Sequence, residues 1–210
     1  KNSPFFGVTD RLSQNSEFFH LVKCECEFVY LNPRPIESQI SKYYSSPKYD
    51  PHNSTKENMW GKIYKLVQWW TLRWKFKKIS SLHSSGNLLD IGGGNGEFAH
   101  FMSVKGWNVV IQDKFSNIEH LMGSKIINKL ENLKLFQKTE YFNVITLWHS
   151  LEHIHEIDKL FFHLNRLLKS DGILLIAVPN LNAPEIIFFN KNWAPFDAPR
   201  HLYHFQLKTL

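Results

Sequence analysis

The clearest periodicities lie in the second half of the chain. The segment NLLDIGG (87–93) is short, almost wholly apolar and closes on glycines, the pattern of a strand buried on both faces. GEFAHFMSVKG (96–106) predicts a helix stopped at Gly106. WNVVIQD (107–113) predicts a second strand, FSNIEHLMG (115–123) at most a short helix, and KIINKL (125–130) a third strand. YFNVITLWHS (141–150) reads as a fourth strand, EIDKLFFHLNRLLKSDG (156–172) as a helix with a glycine stop, and ILLIAVPN (173–180) as a fifth strand. Strands alternating with helices predict an α/β fold with a doubly wound, mostly parallel sheet. Such sheets bind ligands beyond the carboxyl ends of their strands.

The first half is patterned differently. Residues 1–20 show no sustained period and are expected to be loosely structured. LVKCECEFVYLNPRP (21–35) suggests a short strand around Phe28, Tyr30 and Leu31, ended by Pro33 and Pro35. IESQISKYY (36–44) has a helical pattern, and a turn-rich connector follows it. From Met59 to Ile79 the period is helical, with Ile63, Val67, Trp70 and Trp74 on one narrow face. Leu66, Trp69, Leu72 and Phe76 fill much of the rest. The polar SSLHSSGN (80–87) then closes the region. Residues 1–80 therefore read as a largely helical N-terminal extension and cap, and residues 81–210 as the ligand-binding domain.

Composition narrows the class. With 210 residues, 43% hydrophobic and 21% charged, the chain is neither disordered nor a coiled coil. No apolar run approaches the length of a membrane span. Two cysteines, Cys24 and Cys26, cannot build a disulfide framework, and no signal-peptide pattern opens the sequence, so a cytoplasmic location is expected. The net charge of +6 is local. Up to Ser85 there are 13 Lys and Arg against 7 Asp and Glu, whereas residues 86–210 balance 12 against 12. Lys62, Lys65, Arg73, Lys75, Lys77 and Lys78 form a run without one acid, interleaved with three tryptophans. That helix (62–79) reads as a substrate cap packed through its Ile63–Val67–Trp70–Trp74 face. Peripheral attachment to an anionic membrane and contact with nucleic acid are the alternatives.

The strongest motif is LLDIGGGNGEF (88–98). A strand runs into a tight turn where backbone without Cβ can approach a ligand, and the amides opening the next helix face it. The glycines from Gly92 are spaced G-x-G-x-G, not as the dinucleotide fingerprint, and no G-K-[ST] makes a phosphate loop. Asp113 ends the second strand, where a carboxylate can accept hydrogen bonds from a ribose diol.

These residues resemble the class I S-adenosylmethionine-dependent methyltransferases, and more narrowly the branch called methyltransferase domain 23, related to the ubiquinone-biosynthesis O-methyltransferases. FNVITLWHSLEHI, LLKSDGILLIAVPN and DAPRHLYHF are similar to that branch's blocks, over roughly residues 20–210. The resemblance implies S-adenosylmethionine as cofactor, held by Asp90, Gly92, Gly93, Gly94 and Gly96, with Asp113 on the ribose and Trp148 at the end of the fourth strand. Asn128, Lys129 and Glu131 stand where an acid often meets the adenine. Members normally add two further strands, so C-terminal strands are expected to be missing. Related proteins also carry a C-x-x-C pair where this chain has Cys24 and Cys26; no zinc is assigned to them.

Two polar loops supply the candidate chemistry. WHSLEHIHEID (148–158) holds His149, Glu152 and His153; it formally matches an inverted zinc-peptidase pattern, but it follows a strand instead of lying within a helix. The alternatives are a bracing role for Glu152 and His153 or a place at the methyl-transfer centre, where an acceptor hydroxyl needs a base. In the ubiquinone-related enzymes the similar block helps bind a divalent cation. Here His149 replaces a position often acidic there, and no metal is assigned. The second loop, NWAPFDAPRHLYHF (192–205), contributes His201 as first choice of base and His153 as second. Arg200 reads either as a fork for a substrate carboxylate or phosphate or as an ion pair with Asp197. The expected reaction is methylation of a small-molecule acceptor, preferentially at oxygen. The alternatives are a nucleic-acid or lipid-linked acceptor, or a non-catalytic binding module of the same fold.

Overall fold

The computed structural model describes residues 2–12, 17–45, 59–114, 125–127, 132–133 and 138–210. The chain forms two compact units: one of Lys1–Asp50, His149–His155 and Ala177–Leu210, the other of Pro51–Trp148 and Glu156–Ile176.

The first unit is built on a four-stranded antiparallel sheet. Its strands are β1 (Asn2–Thr9), β2 (Phe18–Cys24), β3 (Val29–Leu31) and β9 (Tyr203–His204), paired in that order. The N-terminal extension is thus not largely helical, and residues 2–9 and 18–20 are not loose. In FFGVT and FFHLV, bulky apolar side chains fall on both faces and alternate weakly. Pairing with each other, from Asn2 opposite Cys24 to Thr9 opposite Phe18, supplies the order that neither segment shows alone. The helical expectation at 36–44 reduces to one turn of 3-10 helix at Ile40–Tyr43. Val8, Leu21, Val29 and Leu31 pack with Trp193, Phe196, Ala198 and Leu202 into this unit's core. A short helix, α4 (Glu185–Phe189), follows the second unit's last strand in sequence.

The second unit carries the expected parallel sheet. Its strands are β4 (Asn87–Ile91), β5 (Asn108–Gln112), β6 (Lys125–Ile127), β7 (Phe142–Trp148) and β8 (Leu168–Ala177), in the spatial order β6-β5-β4-β7-β8. β4 is central and pairs in parallel with β5 and β7, and β5 with β6. Leu88, Val109, Ile111 and Val144 face one core cluster, while Leu89, Val110 and Ile145, on the opposite face, are equally buried. Both faces of the sheet are therefore covered, the condition for an almost continuously apolar strand.

The helices are α1 (Met59–Ser80), α2 (Glu97–Val104) and α3 (Ile157–Leu167). Gly106, at φ +88°, follows α2 as expected. α3 ends earlier than predicted. Leu168 is already extended, and the carbonyls of Arg166 and Leu167 accept hydrogen bonds from the Glu140 and Tyr141 amides at 3.0 and 2.9 Å. These bonds hold the chain in sheet geometry, so LKSDG belongs to β8. Gly172 lies within that strand, where a Cβ would come within 2.7 Å of Leu168 Cδ1.

α1 also packs differently from expectation. Ile79 is fully buried in the core with Leu72 and Phe76 beside it, whereas Ile63, Val67, Trp70 and Trp74 are exposed. Two apolar stripes run along opposite sides of this helix, and the shorter one meets the core. Ile79→Ala should accordingly lower the unfolding free energy by about 2–5 kcal/mol. Val67→Ala should stay within about 0.5 kcal/mol, both read from chemical denaturation.

Candidate active site

In the second unit the site grows from the end of β4. Asp90 is buried and accepts a 2.6 Å hydrogen bond from the Thr146 hydroxyl on β7. The chain then turns through Gly92, Gly94 and Gly96, at φ +70°, +53° and +73°. A residue with a Cβ would be strained at each of them. Gly93 is small for another reason: a Cβ there would lie 2.6 Å from Ile111 Cγ2 and 2.9 Å from Asp90 Oδ2. The turn is anchored to β5, because the Gly92 amide donates to the Gln112 carbonyl at 2.7 Å and the Gly94 amide to Asp113 Oδ2 at 2.8 Å. The loop and the acid expected on the ribose thus form one hydrogen-bonded unit.

Trp148 closes the same region. Its ring stands edge to face with Phe98 and Trp74, at centroid distances of 5.8 and 6.4 Å, and its indole N–H is buried without a hydrogen-bond partner among the described residues. Lys75 lies 4.4 Å from the Trp148 ring centroid. Burial lowers the Lys75 pKa, and Asp90 partly restores it. The sequence shows Lys75 as one member of a basic run interleaved with tryptophans, and only its three-dimensional neighbours distinguish it. Asn128, Lys129 and Glu131, expected near an adenine, lie outside the described residues.

In the first unit the two polar loops come together. Glu152, buried in a turn of 3-10 helix at Leu151–His153, has neither carboxylate oxygen hydrogen-bonded among the described residues. His149 Nδ1 is 3.7 Å away, on an exposed side chain. One Glu152 oxygen and one ring nitrogen each of His153 and His201 lie within 4.8 Å of one another, a donor set that could hold a divalent cation. The two imidazoles stand edge to face at 4.6 Å.

Their tautomers follow from their partners. His153 Nδ1 is 3.0 Å from the Arg200 carbonyl, and His201 Nδ1 is 2.8 Å from the Pro195 carbonyl. A carbonyl only accepts, so Nδ1 of His201 carries the proton and its neutral ring has the lone pair on Nε2, whereas Nδ1 of His153 faces both a carbonyl and a hydroxyl that can donate to it. Burial lowers both pKa values to about 4; His201 lowers that of His153 further, and Asp197 opposes the shift at His201. The Tyr44 hydroxyl lies 2.9 Å from His153 Nδ1. No local signal marks Tyr44, which is 109 residues away in sequence.

Arg200, one reading of which was a fork for a substrate anion, is fully buried. Nε and Nη2 grip Asp197 at 2.8 and 2.6 Å, Nη2 also meets Asp10 Oδ1 at 2.8 Å, and Nη1 donates to the Tyr43 carbonyl at 3.1 Å. The anion its fork meets is Asp197, the other reading, with Asp10 added. Burial works against the charge, but the bonds to Asp197 and Asp10 outweigh it and hold Arg200 above its ordinary pKa. Burial likewise raises Asp197, and Arg200 more than reverses this, leaving that carboxyl below its usual value.

The methyltransferase domain family Methyltransf_23 matches residues 66–210. The chain belongs to this family of class I, S-adenosylmethionine-dependent methyltransferases. Its cofactor is S-adenosylmethionine. Among solved structures it is similar to an S-adenosylmethionine-dependent methyltransferase from Archaeoglobus fulgidus, at 18% identity and TM-score 0.55, covering 66% of this chain and 63% of that one. The YcgJ protein of Bacillus subtilis is similar at 19% identity and TM-score 0.49, with 62% and 60% covered. At these identities the likeness is one of fold, and the chain spans less than two thirds of either structure. No curated protein matches the sequence.

Burial raises the Asp90 pKa to about 6, the Thr146 hydroxyl and Lys75 pull it back, and Asp113 adds to the rise. Between pH 4 and 6 the folded state therefore holds a proton that the unfolded chain has lost, and stability falls as pH rises through that window. Asp90→Asn keeps an acceptor for Thr146 and removes this cost. Its stability relative to the parent should be near zero at pH 4 and rise to about 2–3 kcal/mol by pH 7, measured by denaturation across pH.

Proposed function

We propose that the protein transfers the methyl group of S-adenosylmethionine to a hydroxyl of a small-molecule acceptor. The observation that carries this reading is the pair of buried neutral imidazoles, that of His201 held with its lone pair on Nε2, beside the buried carboxylate of Glu152. The similarity of the LEH and PRH blocks to ubiquinone-biosynthesis O-methyltransferases favours oxygen as the acceptor atom.

The bound cofactor supplies the electrophile, a sulfonium methyl. Asp113 and the Gly92–Gly96 turn hold the cofactor, and Trp148 and Phe98 shield that region from water. His201 takes the proton of the acceptor hydroxyl at Nε2, with His153 as the second base. Glu152 stabilises the imidazolium that results. Arg200 is a positioning residue: through Asp197, Asp10 and the Tyr43 carbonyl it fixes the loop whose own carbonyl orients His153. We place the reaction in the cytoplasm.

The Glu152–His153–His201 donor set supports a second reading, in which a divalent cation orients the acceptor. Loss of turnover on chelation and its recovery with added Mg²⁺ or Mn²⁺ would move the role from base to metal.

Formation of S-adenosylhomocysteine with a panel of phenolic and aliphatic alcohols tests the reading. His201→Gln should lower the rate by about 10²–10⁴ with cofactor affinity unchanged. Asp113→Ala should instead weaken cofactor binding by about 10–100-fold in calorimetric titration. With the histidine pKa values at about 4, activity should be level from pH 6 to 8 and fall only as the base protonates toward pH 4. An inflection near 6.5 that persists in Asp90→Asn, whose parent carboxyl itself titrates at about 6, would exclude both buried histidines as the base.

A further inference from the structure

Among the described residues, α1 leaves a large apolar surface exposed, with only Trp74 meeting another element, at the Trp148 ring. Ile63, Leu66 and Val67, in the first half of the helix, are all exposed. Further along, one face turns into the core through Leu72, Phe76 and Ile79, and Gln68 donates a 2.6 Å hydrogen bond to Glu97. On the opposite side Ile63, Val67, Trp70 and Trp74 recur at the 4-3-4 spacing of a single stripe, and all are 45–63% exposed. Lys62, Arg73, Lys77 and Lys78 lie to either side of that stripe and are exposed as well, with no acid between residues 62 and 78. No described helix is long and apolar enough to cross a membrane.

We propose that this face of α1 docks on an anionic lipid surface, lying in the interfacial plane with the stripe toward the acyl chains and the cations among the headgroups. The chemistry selects this occupant. Indole rings and lysine ammonium groups both favour the membrane–water boundary, and the hydrocarbon of Ile63, Leu66 and Val67 needs an apolar medium. A nucleic-acid backbone would use the cations but leave that hydrocarbon in water. A second copy of the chain would bring two helices of like charge together without an acid to pair them.

The test is flotation of the protein with vesicles of phosphatidylcholine alone or with 30% phosphatidylserine. Binding to the phosphatidylserine vesicles should be at least tenfold stronger than to pure phosphatidylcholine and should weaken several-fold on raising salt from about 0.1 to 0.5 M. Ile63→Ser, Val67→Ser and Trp70→Ser together should lose at least tenfold. So should a second variant with Lys62→Gln, Arg73→Gln and Lys77→Gln. S-adenosylmethionine affinity should be unchanged in both. Absence of binding to either vesicle, or variants that bind as the parent does, would overturn the proposal. Binding to a duplex oligonucleotide but not to vesicles would give the face to nucleic acid. A parent that sediments as a dimer, with the serine variant monomeric and neither binding vesicles, would give it to self-association.

Discussion

A guanidinium with no access to water must find all its acceptors within the protein, and Arg200 meets that demand with groups from distant parts of the chain. Asp10 ends β1, Tyr43 closes the 3-10 turn after β3, and Asp197 lies in the loop before β9. Among the described residues, the first unit contains no helix longer than α4 to hold these segments in register. The ion cluster ties them together, at the cost of burying one cation and one carboxylate fully and most of a second. Removing one partner from such a cluster leaves an uncompensated buried charge, a penalty of about 3–5 kcal/mol. The same residue's backbone carbonyl fixes the His153 ring, so the charge cluster and the candidate base are joined through one residue.

The second unit meets a different constraint. A parallel sheet covered on both faces exposes functional groups only at its strand ends, and there the chain needs a tight turn. Three left-handed glycines, a fourth too crowded for any side chain, and an acid bound to the turn's own amide solve this together. Asp90 sits at the junction and retains a carboxyl where apolar burial resists its charge. The strain and the desolvation are concentrated where the cofactor contacts are expected, which is the usual place for a fold to depart from its stability optimum.

What was legible from sequence follows from the range of the interactions involved. β4, α2, β5 and β7 are specified by local periodicity and by glycines, and they were found with the turn and Asp113. The antiparallel sheet was not, because β1 and β2 gain their order from each other and β3 ends on a strand from residues 203–204. The end of α3 was misplaced because the Glu140 and Tyr141 amides that terminate it lie far back in the chain. The 63–67–70–74 stripe was read correctly as a stripe and assigned to the wrong side, since a period says which residues share a face but not what that face meets. His153, His201 and Glu152 were named from their loops, yet their juxtaposition, and the roles of Tyr44 and Asp10 in it, have no sequence signature.

The bond from His201 to a backbone carbonyl has one more consequence. With Nδ1 committed to an acceptor that cannot give a proton back, that ring cannot relay a proton from one of its nitrogens to the other, whereas His153 has the Tyr44 hydroxyl beside its Nδ1. A proton that enters His201 through Nε2 has to leave through Nε2, by the side on which the acceptor arrived. Such a base is a store with one door, and it empties only after product has left the doorway.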